Sequence, residues 1–93
     1  MENKETQLLR DILSCIPITG ITLTDLSKEF HIGASTIYNY KNGLIPSSER
    51  YYNIMSCLLN NHRKELSKIL RFLNTDVLTA DEIEEQIHLY LSR

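Results

Sequence analysis

The sequence predicts an all-α protein of five or six short helices. Three observations carry that expectation. Apolar residues recur three and four positions apart in nearly every stretch, which is the helical period. No segment alternates apolar and polar residues over five positions; Ile16–Leu23 is β-rich in residue type, but Pro17 and Gly20 interrupt it. The three Gly and two Pro fall between the periodic stretches, where tight turns need them. The 93 residues fit one domain, and 42 % hydrophobic with 24 % charged is a globular composition. A domain this small buries only about 60–65 % of its unfolded surface, so self-association would add to its stability.

The first helix is expected from about Lys4 to Ile16, with Leu8, Leu9, Ile12, Leu13 and Ile16 on one stripe and Pro17 ending it. The second begins at Thr22, where Thr22 and Asp25 have the spacing of a capping box, and Leu26 and Phe30 form its inner face. The third follows at once, Ala34–Asn42, with Gly33 as N-cap and Gly43 in the left-handed position that ends it. A fourth starts after Pro46, with Tyr51, Ile54, Met55 and Leu58 at helical spacing, and Asn60-Asn61 is the expected break. A fifth spans about Arg63–Leu73, with Leu66, Ile69, Leu70 and Leu73 inward. The last, Ala80–Leu91, opens on a Thr79/Glu82 capping box and a Leu78/Ile83 hydrophobic staple. Its stripe of Ile83, Ile87, Tyr90 and Leu91 requires a cover, either within the chain as a lid or across a two-fold axis as a dimer contact; the two-fold arrangement is the expectation.

Residues Thr22 to Gly43 place two short helices around a three- or four-residue connection. Ser27 is small enough for the helices to cross closely, Ile32 plugs the turn, and Ile37 and Tyr40 hold the second helix to the core. The opposite face then carries Ala34, Ser35, Tyr38, Asn39 and Asn42, flanked by Thr36 and Lys41. It holds no acid. Hydroxyls, amides and a cation are the groups that meet phosphates and base edges.

These residues resemble the phage-repressor and Cro-like helix-turn-helix family, often called XRE. The resemblance lies in Ile21 through Ile37, then Asn42-Gly43, then Pro46-Ser47 leading to Ile54, and extends over about Leu8 to Leu73. It implies a lambda-repressor-like fold over residues 1–73, completed by an acidic amphipathic helix in 74–93 as part of the same compact unit. It further implies sequence-specific binding of double-stranded DNA by a homodimer that regulates transcription, with the third helix in the major groove. Ala34, Ser35, Tyr38 and Asn39 would then read bases, and Thr22, Lys28, Thr36, Lys41, Asn42, Ser47 and Arg50 would meet the DNA backbone. The sequence departs from the family at His31, where Gly is usual, at Ser27 in place of Ala, and at Leu23, where a backbone-touching Gln is frequent. Asn39 and Lys41 also differ from the usual residues, so the base-reading code is this chain's own.

The net charge is −2, but residues 74–93 carry −4 and residues 1–73 carry +2. A mildly basic body suits DNA with few phosphate contacts. The same charge supports a rival: a protein-binding module on the helix-turn-helix scaffold, such as an antitoxin or a small phage or plasmid inhibitor. Cys15 and Cys57 lie in apolar helical stretches and read as reduced fillers, since no Cys-x-x-Cys spacing exists; a disulfide or metal pair is the alternative. Glu85-x-x-His88 is a single copy of a spacing that metal sites use in pairs, so no metal or cofactor is expected. Ser, His and acidic residues form no nucleophile motif, so no enzyme is expected. No apolar run nears the roughly 18 residues of a membrane span, and Met1–Glu5 lacks the order of a signal peptide, so a cytoplasmic location is expected.

Overall fold

The computed structural model describes residues 4–73 and 79–92. They form five α-helices and one 3-10 turn: α1 (Lys4–Cys15), the turn Ile16–Thr19, α2 (Leu23–Phe30), α3 (Ala34–Lys41), α4 (Ser48–Leu73) and α5 (Ala80–Leu91). No strand occurs among the described residues. The Leu78 staple and the boundary between residues 73 and 74 lie outside the described residues.

The core is one continuous cluster. α1 contributes Leu8, Leu9, Ile12 and Leu13, the stripe its sequence marks. α4 is the hub: it packs against α1, α2, α5 and the 3-10 turn, while α3 lies on α1 and α2. Ile54, Met55 and Leu58 on α4 are fully enclosed, and so are Leu26 of α2 and Ile37 of α3.

The helix ends follow local chemistry. Pro17 removes an N–H, and α1 gives way to the 3-10 turn at Ile16 instead of including it. Gly20, at φ 93°, closes that turn. The expected break at Asn60-Asn61 occurs one residue later and is a kink. The fourth and fifth expected helices run on as α4, with a single non-helical residue, His62, at φ −139° and ψ 36°. Its imidazole Nε2 lies 2.9 and 2.8 Å from the two carboxylate oxygens of Glu29 on α2. The next residue points elsewhere: Arg63 donates to Glu84 at 2.8 Å and also pairs with Asp81, both on α5. The kink therefore lets adjacent residues of α4 hold two different helices.

α5 corrects the expectation of a two-fold cover. Ile83 and Ile87 are buried within the same chain, where α5 packs on α4. Tyr90 is half-buried and stacks on Tyr52 of α4, with centroids 4.3 Å apart and planes at 21°. Leu91 is not part of the buried stripe; it is 71 % exposed. Eight residues on from Ile83 a helix has turned about 80° past full register, which carries Leu91 out over the end of the contact.

Candidate nucleic-acid interface

α2, the residues 31–33 and α3 form a single hydrogen-bonded unit. Thr22 caps α2: its hydroxyl accepts from the Asp25 N–H at 3.0 Å, and its own N–H donates to Asp25 Oδ2 at 3.3 Å. The end of α2 is a Schellman motif, with His31 N–H donating to the Lys28 carbonyl and Ile32 N–H to the Ser27 carbonyl. His31 takes the left-handed conformation there, at φ 56° and ψ 41°. Ile32 then turns inward and is buried, as the plug of the turn must be.

Ser27 does more than stay small. Its hydroxyl donates to the Ile32 carbonyl at 2.5 Å, tying α2 to the turn. Side-chain size was the only signal its sequence position offered. Leu23 is buried in the core.

α3 runs Ala34–Lys41, one residue shorter than expected, because Asn42 serves as its C-cap. A second Schellman motif follows: Gly43, at φ 108°, donates to the Tyr40 carbonyl, and Leu44 donates to the Asn39 carbonyl at 2.8 Å. Ile37 and Tyr40 are the buried residues of α3. Of the residues expected to read bases, Ser35, Tyr38 and Asn39 are exposed, and Ala34 is half-buried. Asn42 is exposed, and Thr36 and Lys41 are half-buried at the flanks. The Lys41 ammonium lies over the Tyr38 ring, 5.9 Å from its centroid, so this cation and this aromatic form one feature of the surface.

The expected backbone contacts divide into three groups. Lys28 is exposed on α2, and with Lys41 and Arg50 it forms no ion pair among the described residues. Ser47 caps α4, its hydroxyl accepting from the Arg50 N–H at 3.1 Å, which leaves its own O–H to donate outward. Arg50 is half-buried and lines a cleft of about 210 Å³ together with His31, Ile32 and Asn53. Thr22 is committed to Asp25. Hydrogen bonds from the Thr22 hydroxyl and N–H, helped by Lys28, hold the Asp25 carboxyl below its ordinary range. That places a fixed anion at the start of α2, where a phosphate was expected.

The start of α3 differs. Gly33 provides no side-chain cap, and the first turn of α3 holds no acid. The Thr36 and Ile37 N–H groups both donate to the Gly33 carbonyl, and the positive end of the helix dipole lies at this uncapped start. Leu44 and Ile45, which follow α3 directly, are about half exposed.

Both cysteines are free and half-buried; burial pushes each thiol above its ordinary range, with nearby Asp11 adding to this at Cys15 and Glu29 at Cys57. Among the described residues no group of three or more His, Cys, Asp or Glu side chains gathers, and no described helix is long and apolar enough to cross a membrane. A scan against family models, a search of curated proteins and a search of solved structures each find no match.

Proposed function

We propose that α2, the turn and α3 are a helix-turn-helix and that this chain binds double-stranded DNA in a sequence-specific manner as a small transcriptional regulator of the phage-repressor and Cro-like kind. The observation that carries the reading is the two-sidedness of α3. Ile37 and Tyr40 fasten it, and Ser35, Tyr38, Asn39 and Asn42 stand outside with no acid among them. In this reading α3 enters the major groove, Ala34, Ser35, Tyr38 and Asn39 face bases, and Lys28, Thr36, Lys41, Asn42, Ser47 and Arg50 meet phosphates. A homodimer would read two half-sites about one DNA turn, roughly 34 Å, apart.

The test is selection from random DNA followed by a salt-dependent binding titration. Three cations per subunit limit counterion release, so a dimer that uses all of them has a log–log salt slope of roughly −5. Asn39→Ala is expected to weaken binding to the selected site by about 1–3 kcal/mol, the worth of an amide–adenine pair. Its far-UV circular dichroism should match the parent, because Asn39 is exposed. An unchanged affinity removes Asn39 from the reading set.

A second reading has its own support. Tyr38, Leu44 and Ile45 are large and about half exposed on and just after α3. Those features suit a protein partner, as in an antitoxin or small inhibitor. Failure to enrich any sequence at about 50 mM salt, where phosphate contacts are strongest, turns the assignment to that reading.

A further inference from the structure

The cleft of about 210 Å³ that Arg50 lines runs between the end of α2 and the first half of α4. Arg50, Asn53 and Cys57 stand at i, i+3 and i+7 on α4, so one face of that helix supplies one wall. His31 and Ile32, in the Schellman end of α2, supply the other. The side chains of Arg50, Asn53 and His31 have no hydrogen-bond or ion-pair partner among the described residues. No acid lines the cleft. Glu29, whose charge reaches Cys57 on the cleft wall, is committed to the His62 imidazole at 2.8 and 2.9 Å.

We propose that this cleft binds a small free oxyanion, of the phosphate or carboxylate kind, against the Arg50 guanidinium, with Asn53 and His31 as further donors. Arg50 is half-buried, so its cation has given up part of its hydration without gaining an anion in return. A guanidinium is a planar fork that fits two oxygens of one phosphate or carboxylate. The backbone on both sides is already fixed: the Ile32 carbonyl accepts from Ser27, and the Arg50 N–H donates to Ser47. Little ordering of the backbone is therefore left to oppose binding. The volume lies below the roughly 300–1,000 Å³ of sites for drug-sized ligands, so the occupant is small. Two or three charge-assisted hydrogen bonds place Kd at about 1 mM. Arg50 serves one anion at a time, so a filled cleft would withdraw it from the DNA backbone in the reading above. The site is tested without DNA, so either proposal can fail alone.

The probe is inorganic phosphate, added to the isotope-labelled full chain at constant pH and ionic strength with chloride as the balancing ion. Amide signals of residues 30–32 and 50–57 should shift and saturate, with the midpoint at about 1 mM. Arg50→Gln should abolish the saturable shift. Lys68→Gln removes a cation from the second half of α4, outside the cleft, and should leave it unchanged. Asn53→Leu, at an exposed position that should not disturb the fold, is expected to raise Kd at least threefold. Shifts that never saturate overturn the proposal, as does a loss in Lys68→Gln as full as in Arg50→Gln, or a Kd indifferent to Asn53→Leu. A short DNA duplex in place of phosphate separates the two sources of the same chemistry. Cleft signals that answer to the duplex and not to phosphate also overturn the proposal, because the anion is then the DNA backbone's own.

Discussion

α2 and α3 have the same length, eight residues each, and meet at one turn, yet they are built on opposite terms. α2 is closed at both ends: Thr22 and Asp25 satisfy each other at its start, and Lys28 and Ser27 carbonyls are taken up at its end. α3 is closed only at its C-terminus, by Gly43; its N-terminus has no side-chain cap. α2 buries Leu23 and Leu26 and leans on α4 through Glu29 and His62. α3 is held by Ile37 and Tyr40. An isolated eight-residue helix is unstable in water, so α3 depends on its packing. The difference teaches that two helices of equal length can be held in different ways: α2 satisfies polar groups at both of its ends with local partners, whereas α3, which has no side-chain cap at its start, relies on the packing of Ile37 and Tyr40.

The largest effects should come from cutting those anchors. Ile37→Ala removes a fully enclosed side chain and is expected to cost about 2–5 kcal/mol by urea denaturation. Leu26→Ala falls in the same range, but the two should differ in kind. α2 keeps its capping box when Leu26 is cut, whereas α3 keeps no comparable support at its start. Amide exchange in α3 should therefore rise well before global unfolding in Ile37→Ala, and exchange in α2 should stay global in Leu26→Ala. Equal protection of both helices in both variants would erase the contrast.

The two left-handed ends sharpen the comparison at a smaller scale. Gly43, at φ 108°, lies where an L residue is strained, so Gly43→Ala should lose about 1–2 kcal/mol. His31 already bears that strain at φ 56°. Because its side chain is exposed, His31→Gly should gain about 0.5–1 kcal/mol, net of the added freedom of the unfolded chain. The urea midpoints of the two variants should therefore move in opposite directions. A loss in His31→Gly would show that the imidazole makes a contact worth more than its backbone strain.

These same elements mark how far the sequence could be read. Thr22 with Asp25, Thr79 with Glu82, and Gly43 each act over four residues or fewer, and their spacing announced them. His31 was marked only by the resemblance, as the residue standing where Gly is usual, and it takes the left-handed conformation that Gly adopts readily. The partner of His62 was not legible, since Glu29 is 33 positions away and periodicity names faces without naming what they meet. For the same reason the Arg63 ties to α5 were missed, and with them the in-chain cover of Ile83 and Ile87. Ser27 was read by volume, and its hydrogen bond to Ile32 depends on the geometry of the finished turn.

The smallest expected effect concerns the closed start of α2. The Asp25 carboxyl lies below its ordinary range because Thr22 hydrogen-bonds its ionised form. A carboxyl depressed in the folded state stabilises the protein above its unfolded value, and that contribution is lost as pH falls through the ordinary carboxylate range toward the folded value. Asp25→Asn should therefore lower the urea midpoint near neutral pH and make no difference at the acid end, so that the two proteins converge as pH falls. Thr22→Ala should do the same and also lose the N-cap, a cost of about 0.5–2 kcal/mol, part of which persists in acid because the Asp25 N–H loses its acceptor at every pH. Removing the carboxylate also takes an anion from the edge of the proposed DNA surface. If α2 is closed at the expense of phosphate contact, Asp25→Asn should bind DNA more tightly and with a steeper salt slope, while stability falls. Affinity and stability moving down together would mean that Asp25 serves the surface only by holding α2 in shape.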